Sequence, residues 1–357
     1  MDTLQRVRSS CAAALSSHSA LITIDAAAVV AFAEGPLRAL LADPSLSSEG
    51  VDFPLVLTPD EDIDLTTLFC LLQFGSGYRE ELHAAVGAGA SDTLLRGLLC
   101  FALTGRRPTA GALSHLRCAE VAEMWSIPRD ADVPVPNLPG VTISKPGPLA
   151  VLAERITWVL NSAGAALEGA GAVSFSALFR TRSVAWRDGG GAGAPRVAPF
   201  VGFLADTFKA FRDVAPLPAG GEAWLLKKAQ LCARELGRKF GGAGGAATEL
   251  FGWSPEDERS LTVFADNVLP AVLRAEGVLV LAPALAAKVD AGEAVAPGEG
   301  ALLRAAAVVA GAAVCEAAAR GGAPLSEARL DALLWKAGKQ LKYRGLRRHA
   351  EKDTVYY

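Results

Sequence analysis

The stretch Leu261-Thr262-Val263-Phe264-Ala265-Asp266-Asn267-Val268-Leu269-Pro270-Ala271-Val272-Leu273 carries a single carboxylate in an otherwise almost wholly apolar run. Its spacing predicts part of a helix over residues 255–276, with Pro270 inside it. A proline gives no N–H to the carbonyl four residues earlier, and its ring pushes that carbonyl aside. That carbonyl belongs to Asp266. The helical ladder is therefore expected to loosen where the lone acid sits, and such breaks often mark functional places. The alternative is an aspartate that only caps a second helix. Upstream, Ser254-Pro255-Glu256-Asp257 is a capping-box start, with serine at the N-cap and proline at the first helical position. Downstream, Gly277 is a natural stop.

Working outward, helical periodicity dominates. It predicts helices near 26–42, 62–73, 80–103, 109–125, 148–168, 200–212, 222–240, 301–320 and 326–345. Strand signals are few: Val173-Ser174-Phe175-Ser176 and Val197-Ala198-Pro199-Phe200-Val201 are candidates for a brief pairing. The expected fold is all-α, one helical domain over residues 1–357 with at most a small β-hairpin. A Pro-rich loop at 127–148, too proline-dense for regular structure, and a mobile Gly/Ala-rich loop at 187–199 interrupt it.

In the segment from Glu222 to Phe240, Leu225, Ala229, Cys232, Leu236 and Phe240 fall on one helical stripe, the expected core face. Lys227, Leu231 and Glu235 form another line. Its two charges stand about 12 Å apart along the axis, too far to pair and far enough to bracket a ligand. An ordinary solvated face fits the same spacing.

The net charge of −3 and the absence of a dense Lys/Arg stripe speak against a duplex nucleic-acid partner, which needs many cations on one face. Six cysteines and four histidines are scattered without metal-ligand spacing, so no metal site is expected; the cysteines suit a reducing compartment. The apolar run Ala305 to Cys315, bounded by Arg304 and Glu316, is too short for a membrane span and reads as a core helix. The first twenty residues are Ser- and Ala-rich with Arg6 and Arg8, a faint organelle-import flavour without a secretory h-region. The expectation is a cytoplasmic protein with no membrane partner; composition leaves its oligomeric state open.

Several segments together resemble the queuosine salvage proteins. They are Phe208-Lys209-Ala210-Phe211-Arg212-Asp213-Val214, then Trp224-Leu225-Leu226-Lys227-Lys228-Ala229-Gln230-Leu231, then the Asp266 stretch, and the pair Tyr356-Tyr357. Leu72-Gln73-Phe74-Gly75-Ser76-Gly77-Tyr78-Arg79 and Arg129-Asp130-Ala131-Asp132-Val133 match more weakly. The resemblance implies a helical fold similar to that of DNA glycosylases. It also implies hydrolysis of the N-glycosidic bond of queuosine 5′-phosphate, a free nucleotide, releasing queuine without metal or organic cofactor. By that resemblance Asp266 is catalytic, Lys227 contacts the 5′-phosphate and Phe74 lies in the base pocket. Gln73, Ser76, Glu235 and Asn267 are the further candidates for holding the base. Asn267, Val268 and Ala271 stand where the family block usually has tyrosine, arginine and glutamine.

The chemistry suits these residue types. Breaking an N-glycosidic bond passes through an oxocarbenium-like sugar, which a carboxylate stabilises while orienting or deprotonating water. A lysine is a point charge fit for phosphate. An aromatic at position 74 stacks on any base, although a core phenylalanine beside a tight turn reads the same way. Two other functions remain open on the sequence: a glycosylase acting on a base in nucleic acid, and a non-catalytic helical binding protein derived from the family.

Overall fold

The helix Pro297–Arg320 shows best how this sequence builds its core. It opens with a proline at its first position and runs through Ala305, Ala306, Ala307, Ala310 and Gly311, all buried. Small side chains let neighbours approach closely: a Cβ at Gly311 would stand 2.8 Å from Val263 Cγ1. Around this axis pack the helices Thr3–Ser17, Ala26–Glu34, Val268–Ala275 and Glu327–Ala337. The computed structural model describes residues 1–47, 50–188, 193–218, 220–352 and 354–357. They divide into two compact units. The first comprises Met1–Asp52, Ser183–Asp206 and Phe211–Glu351; the second comprises Phe53–Arg182, Thr207–Ala210 and Lys352–Tyr357.

In the first unit, two short antiparallel strand pairs join the helices: Ile22–Ile24 with Leu279–Leu281, and Val214–Pro216 with Glu222–Trp224. The second unit is built on Pro59–Leu71, Ala90–Leu103 and Ala150–Gly169. Thr58 caps the first of these through a reciprocal bond with Glu61. Asp64, buried within it, accepts the Ser176 N–H at 2.6 Å and so anchors the Phe175–Arg182 helix. The fold is all-α with small β pairs.

Several expectations need correcting. The region 255–276 is not one helix but two, Pro255–Ser260 and Val268–Ala275, joined by an extended segment. Pro270 therefore sits in the first turn of the second helix, where its missing N–H would have had no partner anyway. Ser254 caps the first helix as expected, and Gly277, at φ 74, follows the end of the second. The expected pairing of Val173–Ser176 with Val197–Val201 does not form, because Phe175–Arg182 and Val197–Thr207 are helices. The proline-dense 127–148 segment does hold regular structure, a hairpin of Asp130–Pro134 against Thr142–Pro146. Its prolines stand at strand ends, where no ladder bond is lost. Residues 189–192 of the Gly/Ala-rich loop lie outside the described residues, and its last three residues begin the helix Val197–Thr207. The first twenty residues include the helix Thr3–Ser17, with Leu4, Val7, Cys11 and Ala14 buried. The Lys227–Phe240 helix starts five residues later than predicted, since 222–224 is a strand; the predicted core stripe from Leu225 to Phe240 is buried throughout. The predicted core run grew into a 24-residue helix, long and apolar enough to cross a membrane, but 72% of that apolar window is buried inside the protein.

Candidate active site

Asp213 organises the start of the Lys227–Phe240 helix. Its backbone carbonyl accepts the N–H groups of Leu225 (3.0 Å) and Leu226 (3.2 Å), and its carboxylate takes that of Lys227 at 3.3 Å. The turn forces Leu226 into the left-handed region, φ 50 and ψ 34, which costs an L-residue about 1–2 kcal/mol. Complete burial of the Leu226 side chain offsets that strain at about 25 cal/mol per Å². The result is a lysine fixed as the first residue of a helix, where backbone amides and a positive dipole end already favour anions.

The segment bearing Asp266 is bound to the same helix. Gln230 Nε2 donates to the Leu225 carbonyl and to Thr262 Oγ1, both at 3.0 Å, while Gln230 Oε1 accepts the Thr262 N–H at 2.9 Å. A second tie is Arg304, buried in the long helix. Its Nη1 and Nη2 grip both Asp213 oxygens at 3.1 and 2.5 Å, and its Nε donates to the Ala265 carbonyl at 2.7 Å. One guanidinium thus touches the residue before Asp266 and the residue that shapes the Lys227 turn. Its planar, forked donors suit that double task.

Asp266 itself is 6% exposed. Its Oδ1 accepts the N–H of Val268 at 2.6 Å and of Leu269 at 3.3 Å, the amides at the start of the following helix. The capping reading of this acid is therefore correct as far as it goes. Both bonds fall on Oδ1, and Oδ2 takes no hydrogen bond among the described residues. Lys227 feels this carboxylate: burial pushes the ammonium's pKa down, and Asp266 is the strongest group opposing that shift. Arg304 reinforces the lowering, while Asp331 and Asp213 oppose it.

Asp331, on the Glu327–Ala337 helix, completes the cluster. Its Oδ1 accepts the Phe264 N–H at 2.8 Å. Burial, then the negative charge of Asp266, pushes its carboxyl up to about 8, against the pull of the Phe264 amide, Arg234 and Lys227. Asn267, 3% exposed, donates through Nδ2 to the His349 carbonyl at 3.1 Å, and its buried Oδ1 has no hydrogen-bond partner.

Glu235 lies two turns beyond Lys227 and is buried, not on a solvated face. Arg234 holds its Oε1 at 3.1 Å; Arg238 and the Val51 N–H hold Oε2, each at 3.2 Å. Gln73, Phe74 and Ser76 belong to the second unit. Phe74 is buried there, Gln73 donates to the Phe69 carbonyl at 3.3 Å, and Ser76 Oγ is buried without a partner. Gly75 between them has φ 89, which only glycine adopts readily, and its N–H donates to the Tyr357 carbonyl at 3.0 Å. Among the described residues no group of three or more His, Cys, Asp or Glu could hold a metal ion.

Residues 145–357 match the family described as queuosine salvage protein. The chain belongs to that family. It is also similar to a protein of Sphaerobacter thermophilus named queuosine 5′-phosphate N-glycosylase/hydrolase, 32% identical over 168 residues. That alignment covers 46% of this chain and 49% of the relative, so the chain spans about half the length of the curated relative it matches. Within the queuosine salvage match lie Asp213, Lys227, Asp266, Asn267, Arg304 and Asp331; Gln73, Phe74 and Ser76 precede it.

Sequence reasoning missed Arg304 and Asp331 as members of the site. Each is a charge inside an apolar helical run, Leu302-Leu303-Arg304-Ala305 and Leu330-Asp331-Ala332-Leu333. A charge at a core-facing helical position is a signal in itself, because such groups stay buried only when paired or neutralised.

Proposed function

We propose that this protein hydrolyses the N-glycosidic bond of queuosine 5′-phosphate, giving queuine and ribose 5-phosphate. The observation that carries the reading is the joint placement of Asp266 and Lys227: a buried carboxylate with one oxygen pinned and one uncommitted, electrostatically coupled to a lysine at a helix start. The name of the Sphaerobacter relative supports the same substrate.

In this reading the phosphate meets the Lys227 ammonium at the amino end of its helix. Asp266 Oδ2 faces the anomeric carbon, where positive charge develops as the base departs, and takes a proton from the attacking water. Pinning Oδ1 to two amides keeps the carboxylate from rotating, so its charge is in place before the bond breaks. Asn267 Oδ1, a buried acceptor in want of a donor, suits a sugar hydroxyl or a base N–H.

The test is direct. Purified protein incubated with queuosine 5′-phosphate is expected to release queuine and ribose 5-phosphate, followed by mass spectrometry, and Asp266→Asn is expected to release neither. Intact substrate after prolonged incubation with the wild type refutes the reading.

A further inference from the structure

Two carboxyls share one turn of chain. Three backbone amides between Phe264 and Leu269 go to them: Phe264 N–H to Asp331 Oδ1, and Val268 and Leu269 N–H to Asp266 Oδ1. For both acids the second oxygen takes no hydrogen bond among the described residues. We propose that Asp331 is the acid that protonates the departing base, paired with Asp266 as the group that receives the proton of water. The proposal rests on the hydrolase reading above and adds a second catalytic residue to it.

The chemistry asks for such a group. Queuine carries carbon where guanine has N7, so the usual protonation that helps a purine leave is closed. The electron pair of the broken C1′–N9 bond stays on the base, which needs a proton at N9 or N3 to depart neutral. Asp331 supplies it; water forms the new C1′–O bond and gives a proton to Asp266. The proton then passes from Asp266 back to Asp331 through solvent, so both groups reset.

The surroundings fit an acid that keeps its proton at neutral pH. Burial and the Asp266 charge hold Asp331 up to about 8, while Arg234 and Lys227 oppose them. Of the charges on the helices packed around it, Arg274 pairs with Asp290, Arg304 with Asp213, Asp257 with Arg196 and Glu299 with Lys288, and Arg38 donates to the Gly321 carbonyl; Glu256, Glu258, Arg259, Glu316 and Arg320 are the others on those helices. On its own helix Glu327, one turn earlier, pairs with Arg8. An acid held protonated in this way beside a second carboxyl suits a division of acid and base roles between the two.

The experiment compares queuosine 5′-phosphate with 4-nitrophenyl ribofuranoside 5-phosphate, whose phenolate leaves without a proton. At saturating substrate, where the phosphate holds the Lys227 ammonium in its charged form, wild-type kcat on the nucleotide is expected to fall above about pH 8, with no such fall for the nitrophenyl substrate. Asp331→Asn, which keeps an acceptor for Phe264, is expected to lose about 10²–10³-fold on the nucleotide and less than about threefold on the nitrophenyl compound. Equal losses on both substrates, or none on the nucleotide, overturn the proposal and leave the hydrolase reading standing. If Asp331→Asn does not fold, the two wild-type profiles decide: a shared alkaline fall, or none for the nucleotide, overturns it. A wild type inactive on the nucleotide overturns both readings.

Discussion

Arg304→Met removes the guanidinium that touches both halves of the site while keeping a long apolar side chain in the Pro297–Arg320 helix. What it leaves behind sets the cost. Asp213 is fully buried, and breaking a buried pair by deleting one partner costs about 3–5 kcal/mol. A stranded carboxylate has an escape, since it can take up a proton. From the ordinary aspartate pKa that escape costs about 4 kcal/mol at pH 7 and about 1.5 kcal/mol at pH 5. The Ala265 carbonyl also loses its donor, for about 1–3 kcal/mol. We expect a loss of about 4–6 kcal/mol at pH 7, shrinking by about 2–3 kcal/mol at pH 5. At about 2 °C per kcal/mol for a chain of this size, Tm at pH 7 should drop by at least about 8 °C. Thermal unfolding followed by circular dichroism at both pH values measures this, with the double variant Arg304→Met, Asp213→Asn beside it. The double variant should regain at least half of the loss, because no charge is stranded. A pH 7 loss below about 1 kcal/mol, or a double variant no more stable than Arg304→Met, refutes the account of Arg304 as the tie of the site.

Other expectations can be checked in parallel. Asp266→Asn should abolish turnover yet cost at most about 1 kcal/mol in urea unfolding, because an amide oxygen still accepts from Val268; a large stability loss would mean that the charge is structural. Lys227→Ala should penalise the monophosphate by at least about tenfold in kcat/KM while leaving the unphosphorylated nucleoside nearly unchanged, and equal losses would argue against a phosphate contact. His349 is buried and pushed down to about 3, first by burial and then by Arg304. Its unfolded form takes a proton below about pH 6.5 and its folded form does not, so it lowers stability as pH falls from 6.5 toward 3. His349→Gln should remove about 1.4 kcal/mol of that slope per pH unit. Asp331 works in the opposite sense, because its raised pKa makes the folded state lose stability as pH rises from about 4 to about 8. Stability of Asp331→Asn measured over that range should therefore climb with pH relative to the wild type.

Much of this was legible in the sequence, for physical reasons that can be named. Ser254 and Gly277 announced helix ends because caps are local chemistry. The stripe from Leu225 to Phe240 announced a buried face because periodicity is geometric. The lone acid at 266 was visible as an anomaly in an apolar run. What stayed hidden depends on distant partners. Nothing local says that residues 261–266 leave the helix; Gln230 and Arg304 hold them out of it from two other helices, 32 and 39 residues away in the chain. The 130–146 hairpin was masked by its prolines, which read as breakers until their places at strand ends are seen. Glu235 looked like a solvent-facing charge because its arginine partners sit on its own helix, at spacings that also fit an exposed surface.

Arg304 has one more consequence, for the birth of the chain. The 24-residue helix that contains it is about 36 Å long, and its most apolar 18-residue window has a mean hydropathy of 1.7, enough to tempt the machinery that inserts helices into bilayers. A single arginine in such a segment raises the free energy of insertion, by about 2.5–3.5 kcal/mol at its midpoint and less toward an end. Its carboxylate partner lies 91 residues upstream and so leaves the ribosome first, ready to receive it. The cation that steadies the proposed catalytic turn thus also helps steer its helix away from lipid.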